Sequence, residues 1–152
     1  MRYLRAMIRI EFPAEKPKLR ADNGEEFIFC LIRKKWLKVT PEEWVRQNFI
    51  IYLNRVLNYP LSLIAVEKTI RVGELSRRFD IVVYGKEHRP QCLIECKEMN
   101  VPLTEQVIRQ ALAYNLSVLA TVIIITNGAN SIAIQKKGTE ISFLESIPSY
   151  TD

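Results

Sequence analysis

Histidine, cysteine and glycine are scarce in this sequence, and their scarcity excludes several kinds of site. One histidine and three cysteines occur among 152 residues. The cysteines lie apart within apolar runs, which argues against a disulfide framework and indicates buried, reduced thiols. Cys92 and Cys96 have no histidine beside them, so a zinc site is not expected. The five glycines form neither a Gly-x-Gly-x-x-Gly motif nor a Walker A loop, so no phosphate-binding loop is predicted.

Long apolar runs are also missing. No segment is long and apolar enough to cross a bilayer, and Arg2, Arg5 and Arg9 interrupt the apolar core that a signal peptide needs. We therefore expect a cytoplasmic protein without a membrane partner. Lysine and arginine number 22 against 17 aspartates and glutamates, which gives a formal net charge of +5. This excess favours a polyanionic partner.

Length and composition predict one folding unit. A chain of 152 residues that is 48% hydrophobic can bury one core but not two. We expect a single nuclease-like domain over residues 1–152, of the α/β (α+β) class, with a central mixed β-sheet flanked by helices. Within it, residues 1–38 form an amino-terminal extension with strands, 40–128 the core, and 129–152 the closing strands.

The apolar patterns predict two helices and several strands. Thr40-Pro41-Glu42-Glu43 is typical of a helix start, with Thr40 as N-cap and Glu43 at the capping-box position. A second helix is predicted from Pro102 to about residue 119. Strand patterns occupy residues 27–32, 63–72, 80–84, 91–97, 122–125, 131–135 and 140–144.

Turn signals connect these strands. Asp22-Asn23-Gly24 predicts a hairpin turn before the first strand, and the polar segment 85–90 predicts a hairpin loop between strands 80–84 and 91–97. The exposed loop is also where the single histidine, His88, is expected. The run 122–125 is apolar throughout, which predicts a strand buried on both faces and parallel to an earlier strand.

Three charged residues stand at the ends of two neighbouring predicted strands. Asp80 begins one strand, while Glu95 and Lys97 end the next. Residues two apart in a strand leave the same face, so Glu95 and Lys97 project together, and an antiparallel partner brings Asp80 close to both. Two carboxylates can hold a divalent cation, and a lysine can position a water. The alternatives are a surface ion pair of Asp80 with Arg77 or Arg78 and a simple Glu95–Lys97 pair.

The order Asp80, Glu95-Cys96-Lys97, Gln110-Ala-Leu-Ala-Tyr114 resembles the PD-(D/E)XK nuclease superfamily. Within that superfamily, residues 40–128 resemble the amino-terminal nuclease domain of type I restriction enzyme R subunits. The proline of the superfamily's name is absent near Asp80, where Arg78-Phe79 stands, although this branch tolerates the change. The resemblance does not extend to the motor and translocase parts of a full R subunit, so translocation is not carried over.

The resemblance implies a restriction-endonuclease-like core that hydrolyses phosphodiester bonds in DNA with Mg²⁺, or with Mn²⁺ as a substitute. It implies that Asp80 and Glu95 hold the metal, together with the backbone carbonyl of Cys96, and that Lys97 acts on the attacking water. Magnesium prefers oxygen ligands and usually takes only one or two carboxylates. Lys97 either takes a proton from the water or stays charged and stabilises the phosphate, and the sequence leaves both roles open.

A helical glutamate often completes the metal site in this superfamily, and Glu42 and Glu43 are the two candidates. Counting along the helix puts Glu42 in line with Val45 and Phe49, on the face that packs against the sheet. We therefore predict Glu42 as a site residue and metal ligand, and Glu43 as the capping-box partner of Thr40. The alternative is that both acids complement the helix dipole.

Further residues are predicted around this site. Gln110 and Tyr114, four apart on one helical face, are predicted to contact the metal-bound water, Lys97 or DNA, although alone they would only mark a polar helix edge. The predicted nucleic-acid contacts are Arg77, Arg78 and Gln106. The basic stretch next to Trp36 is either a nucleic-acid patch or a solvated strand edge, and it comprises Arg33, Lys34 and Lys35.

The leading hypothesis is therefore a Mg²⁺-dependent DNA endonuclease. The alternatives are a catalytically inactive nucleic-acid-binding or partner-docking module on the same scaffold, and a basic structural protein that does not bind DNA. One site cuts one strand, so double-strand cleavage would require a homodimer or a separate partner such as a helicase or methyltransferase.

Overall fold

The computed structural model describes residues 6–115 and 122–151, apart from the side chains of Val72, Tyr114 and Asn115. Within these ranges the two α-helices are α1 (Pro41–Arg55) and α2 (Glu105–Asn115), and two short 3-10 helices cover Leu61–Leu63 and Lys86–His88. The strands are β1 (Ile8–Arg9), β2 (Leu19–Asp22), β3 (Glu25–Cys30), β4 (Lys35–Lys38), β5 (Ile64–Val72), β6 (Leu75–Tyr84), β7 (Pro90–Cys96), β8 (Val122–Thr126), β9 (Asn130–Lys137) and β10 (Glu140–Phe143).

The larger sheet has the strand order β1-β9-β8-β7-β6-β5, with β10 also paired to β9. β7 and β8 run parallel, and the other neighbours are antiparallel. The predicted parallel crossover and the predicted β6–β7 hairpin are therefore confirmed, and so is the fold class of a mixed sheet flanked by helices. His88 is exposed in the β6–β7 connection, as expected.

Helix α1 begins as its sequence predicts. Thr40 is the N-cap, and its Oγ1 accepts a hydrogen bond from the Glu43 N–H at 3.0 Å. Val45, Phe49 and Leu53 are fully buried and belong to the core on one face of the larger sheet. Burying each such side chain contributes about 1.5–3 kcal/mol, so packing fixes the helix, and the glutamates of its first turn, against the sheet.

The opposite face of the sheet is covered by α2. Ile108 and Ala111 pack with Ile125, Ile132 and Ile134. β8 is buried along its whole length, as predicted for a strand covered on both faces. The part of the predicted helix beyond residue 115 falls largely outside the described residues.

A second, three-stranded antiparallel sheet has the order β2-β3-β4. The β2–β3 turn is the predicted one, with Asn23 at φ 50° and Gly24 at φ 80°, the conformation that a tight hairpin turn requires at both central residues. β3 ends at Cys30, two residues before the predicted boundary, because residues 31–34 form the turn into β4.

The cysteines agree with the prediction from composition. Cys30, Cys92 and Cys96 are free and buried. None of the helices in the described ranges is long and apolar enough to span a membrane.

Candidate active site

Five of the charged residues predicted from the sequence, namely Glu42, Arg78, Asp80, Glu95 and Lys97, line one cleft with a volume of about 200 Å³. Glu42 comes from α1, Arg78 and Asp80 from β6, Glu95 from β7, and Lys97 follows directly after β7. Phe79 and Cys96 complete the lining. Two larger cavities, of about 580 and 440 Å³, are each lined by at most one carboxylate. The small cleft therefore has the most carboxylates of these three.

Asp80 lies at the point where strands β6 and β7 separate. The two strands pair as far as Ile81 and Ile94, and one further step would place Asp80 opposite Glu95. The Cys96 N–H instead donates to Asp80 Oδ2 at 2.7 Å. The carboxylate therefore replaces a backbone acceptor at the point where the strands separate, and this fixes its position in the cleft.

Glu95 and Lys97 project together, as the strand alternation predicts. Lys97 Nζ lies 3.2 Å from Glu95 Oε1. The other oxygen, Glu95 Oε2, is buried and has no hydrogen-bond partner within the described ranges. A buried anionic oxygen without a partner is costly, and a cation is the kind of group that would satisfy it.

The donor set fits magnesium better than a soft metal. The side-chain donors of the cleft are carboxylate oxygens, which hard cations prefer, and in the described part of the chain no group of three or more histidine, cysteine, aspartate or glutamate residues is arranged to hold a metal. Magnesium needs only one or two carboxylates, with water and phosphate oxygens completing its shell. The Cys96 side chain packs in the core that α1 covers, so only its carbonyl remains a candidate ligand.

Glu42 and Glu43 have different surroundings. Glu42 lines the cleft, whereas the buried Glu43 accepts hydrogen bonds from Arg46 at 2.8 and 2.9 Å and from Gln47 at 2.9 Å. The prediction that the Glu43 side chain completes a capping box is therefore wrong, because Arg46 and Gln47 of the following helical turn bind the carboxylate instead. Burial raises the pKa of Glu42, and the nearby negative charge of Asp80 raises it further.

Arg46 is a site residue that the sequence reasoning missed. Besides Glu43, its Nη1 lies 3.3 Å from Glu67 Oε1 and 3.6 Å from Asp80 Oδ1. Among the described ion pairs, Asp80 is thus joined to Arg46 rather than to Arg77 or Arg78. The three-residue spacing of Glu43 and Arg46 on a helix was the only available signal, and it does not reveal the other two carboxylates.

Glu67 interrupts β5 at the position facing Asp80. Residues 66 and 68 pair with residues 81 and 79, but Glu67 has φ 48° and is left out of the pairing with Asp80. Phe79 and Val82, three apart, pack in the same cluster, so the alternation of β6 is also broken here. This local irregularity allows Asp80 to meet Arg46.

The two facing carboxylates have opposite electrostatic environments. Burial raises the pKa of Asp80, and the Cys96 N–H and the Arg46 charge only partly offset that effect. Burial would also raise the pKa of Glu67, but the hydrogen bond from Arg33 and the charges of Arg46 and Arg78 outweigh it and lower that pKa.

The remaining predicted residues lie away from the cleft lining or beyond description. Gln106 and Gln110 are exposed on α2 and are not among the lining residues. The Tyr114 side chain lies outside the described residues. Arg77 Nη1 donates to the Ser76 carbonyl at 3.3 Å. The roles predicted for these residues stay predictions.

Comparison with known protein families shows which family the chain belongs to. The family model described as type I restriction enzyme R protein N terminus matches residues 41–148. The chain belongs to this family. The predicted resemblance to the amino-terminal domain of type I restriction enzyme R subunits is thereby confirmed, and it extends over the closing strands as well. The family match contains every residue of the cleft and leaves residues 1–40 outside.

Comparison with individual proteins gives only distant structural similarity. A solved structure of a proposed nuclease belonging to DUF820 from Anabaena variabilis ATCC 29413 aligns with a TM-score of 0.46 and 14% identity, covering 88% of this chain and 80% of that chain. This likeness is too distant to bear on the function of the chain. No curated protein matches the chain.

Proposed function

We propose that this chain is a Mg²⁺-dependent nuclease domain that hydrolyses phosphodiester bonds in DNA. The observation that carries the proposal is the buried, unpartnered Glu95 Oε2 in the cleft that also contains Asp80 and Lys97. Membership in the type I restriction enzyme R family supports a nuclease-like role, and the net charge of +5 favours a polyanionic substrate.

Each residue of the cleft has a chemical task in this proposal. Asp80, Glu95 and the Cys96 carbonyl would hold Mg²⁺ or Mn²⁺, which when bound would supply Lewis-acid activation of phosphate and water. Lys97, held beside Glu95, would orient the attacking water or neutralise charge on the phosphate. Glu42 would add a third carboxylate at the rim, and the exposed Arg78 would contact a DNA phosphate.

The residues of α2 have secondary tasks in the same proposal. Gln110 and Tyr114 would contact water or DNA next to the cleft, and Gln106, with Arg77 of β6, would contact the DNA backbone. A single cleft of this kind cuts one strand. Double-strand cleavage would therefore come from a homodimer or from a separate partner, such as a helicase or methyltransferase.

Cleavage of supercoiled plasmid with Mg²⁺ or Mn²⁺ tests the proposal. The wild type should nick the plasmid, while Asp80→Asn, Glu95→Gln and Lys97→Met should each lose on the order of 10²-fold or more in rate, since each removes a group aimed at the reacting phosphate. Glu74→Gln is the matched control, because Glu74 is an exposed acid in the β5–β6 turn, and it should cut like the wild type.

A binding measurement separates the metal site from the chemistry. Electron paramagnetic resonance of free Mn²⁺ should show binding by the wild type and by Glu74→Gln but not by Glu95→Gln. Equal nicking by all variants would indicate a contaminant and contradict the proposal. A wild type that binds DNA but leaves the plasmid intact would instead indicate the inactive nucleic-acid-binding or docking module.

A further inference from the structure

The three-stranded sheet lies before the residues that the family model matches, and its two faces differ. Ile28 and Cys30 of β3 are fully buried, and β3 contacts α1. Phe27 and Phe29 alternate with them and are only half-buried. Because alternate residues of a strand leave opposite faces, one face of this sheet packs against the core, and the other presents aromatic rings.

Cations share that second face with the rings. Phe27 is opposite Arg20 on one side and Lys38 on the other, and Phe29 is opposite Trp36. The Phe29 N–H donates to the Lys18 carbonyl at 3.0 Å, which places Lys18 in the same row. We call this surface the aromatic–basic face, and its members are Lys18, Arg20, Phe27, Phe29, Trp36 and Lys38.

The rings and cations of this face are in contact. Phe29 and Trp36 meet edge to face, with centroids 5.3 Å apart and planes at 67°. The Arg20 guanidinium carbon lies 4.5 Å from the Trp36 centroid, and Lys18 Nζ lies 6.0 Å from the Phe29 centroid. Lys18, Arg20 and Lys38 are exposed. Lys38 Nζ lies 4.0 Å from Glu25 Oε1, and both of these side chains are largely exposed, so a phosphate that approaches the rings would compete with Glu25 for Lys38.

The Trp36 end of this face is joined to the candidate active site. Arg33, in the β3–β4 turn next to Trp36, forms an ion pair with Glu67. Glu67 is also bound by Arg78 at 3.0 Å, and Arg78 lines the cleft. The acidic residues of the small sheet lie at or near its opposite end, around the β2–β3 turn, and these are Asp22, Glu25 and Glu26. A chain of ion pairs, Arg33–Glu67–Arg78, therefore joins the Trp36 end of the small sheet to the cleft.

We propose that the aromatic–basic face binds single-stranded DNA, with unpaired bases stacking on Trp36 and Phe29 and phosphates contacting Lys18, Arg20 and Lys38. Stacking on aromatic side chains combined with basic residues along the backbone is the general means of binding single strands without sequence preference. A protein partner fits less well, because lysine is depleted from protein interfaces, whereas here Lys18 lies over Phe29 and Lys38 is opposite Phe27. The choice of DNA rests on the proposed function, and the face would present one strand to the cleft.

Binding of a fluorescein-labelled oligo(dT), followed by anisotropy in buffer with EDTA, tests this proposal on the full chain. Trp36→Leu should weaken binding about 10-fold, as expected for the loss of one stacked base. Arg20→Gln should weaken binding severalfold and reduce the dependence of log affinity on log salt by roughly 0.7. The control is Lys86→Gln, which removes the same charge from the exposed β6–β7 connection and should bind like the wild type.

The two tryptophans of the chain allow a local measurement that does not depend on a destabilising change. In Trp44→Phe the remaining Trp36 should be quenched by oligo(dT), while in Trp36→Phe the remaining Trp44 should not be. Circular dichroism of each variant checks that the fold is kept. Equal affinity of wild type, Trp36→Leu and Arg20→Gln, or quenching of Trp44 alone, would overturn the proposal.

Failure of this proposal and failure of the nuclease proposal are distinguishable. Oligonucleotide binding is measured without metal, so its outcome does not depend on cleavage. An intact plasmid in every arm would contradict the nuclease and leave the binding result standing. Plasmid nicking by wild type with oligo(dT) affinity unaffected by Trp36→Leu would contradict only the aromatic–basic face.

Discussion

At the level of single residues, Arg46 joins three carboxylates that would otherwise repel one another. Its guanidinium is buried and meets Glu43, Glu67 and Asp80. Breaking a buried ion pair by removing one partner leaves an uncompensated charge, which typically costs about 3–5 kcal/mol. Arg46 is therefore expected to matter for folding as well as for the position of Asp80.

Replacing Arg46 tests this role. Arg46→Met keeps most of the side-chain volume but removes the charge, so we expect the free energy of unfolding, measured with urea, to fall by about 3–5 kcal/mol. Arg55→Met on the same helix is the control, because Arg55 pairs with Glu15 at 3.0 Å with both side chains about half exposed. Exposed pairs contribute about 0–1 kcal/mol, so equal losses in the two variants would contradict the assignment.

The ionisation of Asp80 should destabilise the fold. Its pKa is raised in the folded state, so the folded protein binds more protons than the unfolded chain just above the ordinary aspartate pKa of about 4, and stability falls as pH rises through the raised value. Without metal, Asp80→Asn should therefore unfold at higher urea than the wild type at pH 7. This advantage should shrink at pH 3.5.

Glu67 is the matched comparison for Asp80, because its pKa is shifted in the opposite direction. Its pKa is lowered in the folded state, so its charge stabilises the fold above the ordinary glutamate pKa, and that stabilisation is lost as pH falls through the lowered value. Glu67→Gln should therefore be less stable than the wild type at pH 7, with a smaller difference in acid. The same pH trend for Asp80→Asn and Glu67→Gln would show that the two environments are not distinct.

At the level of elements, the sequence predicted the helices and strands where local signals and burial agree. Thr40 and Pro41 start α1, the apolar run of β8 is central, and Asn23-Gly24 makes the β2–β3 turn. It did not predict the position of Glu67, because an ordinary glutamate within a strand pattern carries no sign of positive φ. It also misassigned Glu43, because a capping-box spacing does not show that a buried arginine lies within reach of the same carboxylate.

Because of the irregularity of β5, we expect glycine to be more stable than alanine at position 67, which is the reverse of the order in a regular strand. Glycine within a regular strand is less stable than alanine, but φ near +50° costs a non-glycine residue roughly 1–2 kcal/mol. We therefore expect Glu67→Gly to be more stable than Glu67→Ala by about 1 kcal/mol in urea unfolding. The control pair is Thr69→Gly and Thr69→Ala on the same strand, where alanine should be the more stable. The same order at both positions would contradict a strained Glu67.

At the level of the whole molecule, the candidate metal site couples ligand binding to folding. A ligand that binds only the folded state adds about 2.7 kcal/mol of stability at a concentration 100 times its Kd. Mg²⁺ or Mn²⁺ should therefore raise the Tm of the wild type by roughly 5–10 °C for a chain of this size. Glu95→Gln should show no such increase, and an equal increase in both proteins would indicate binding elsewhere.

The molecule also divides its proposed tasks between two sheets. Helix α1 and the larger sheet, apart from β1, contain the cleft and lie within the residues that the restriction enzyme family model matches. The smaller sheet precedes those residues and carries the aromatic–basic face. The Arg33–Glu67 ion pair joins the two parts. Substrate capture and hydrolysis should therefore be separable by mutation, with changes on the small sheet affecting KM and changes in the cleft affecting kcat.

The hydrogen bond from the Cys96 amide to Asp80 gives the protein an internal spectroscopic probe. A backbone N–H that donates to a carboxylate forms a shorter and stronger bond than one that donates to a neutral carbonyl, so its proton resonance should move downfield. Protonation of Asp80, or capture of its oxygens by an ion, would withdraw electron density from that bond and shift the signal. One ¹⁵N-labelled amide can thus report the state of the cleft before any substrate is added.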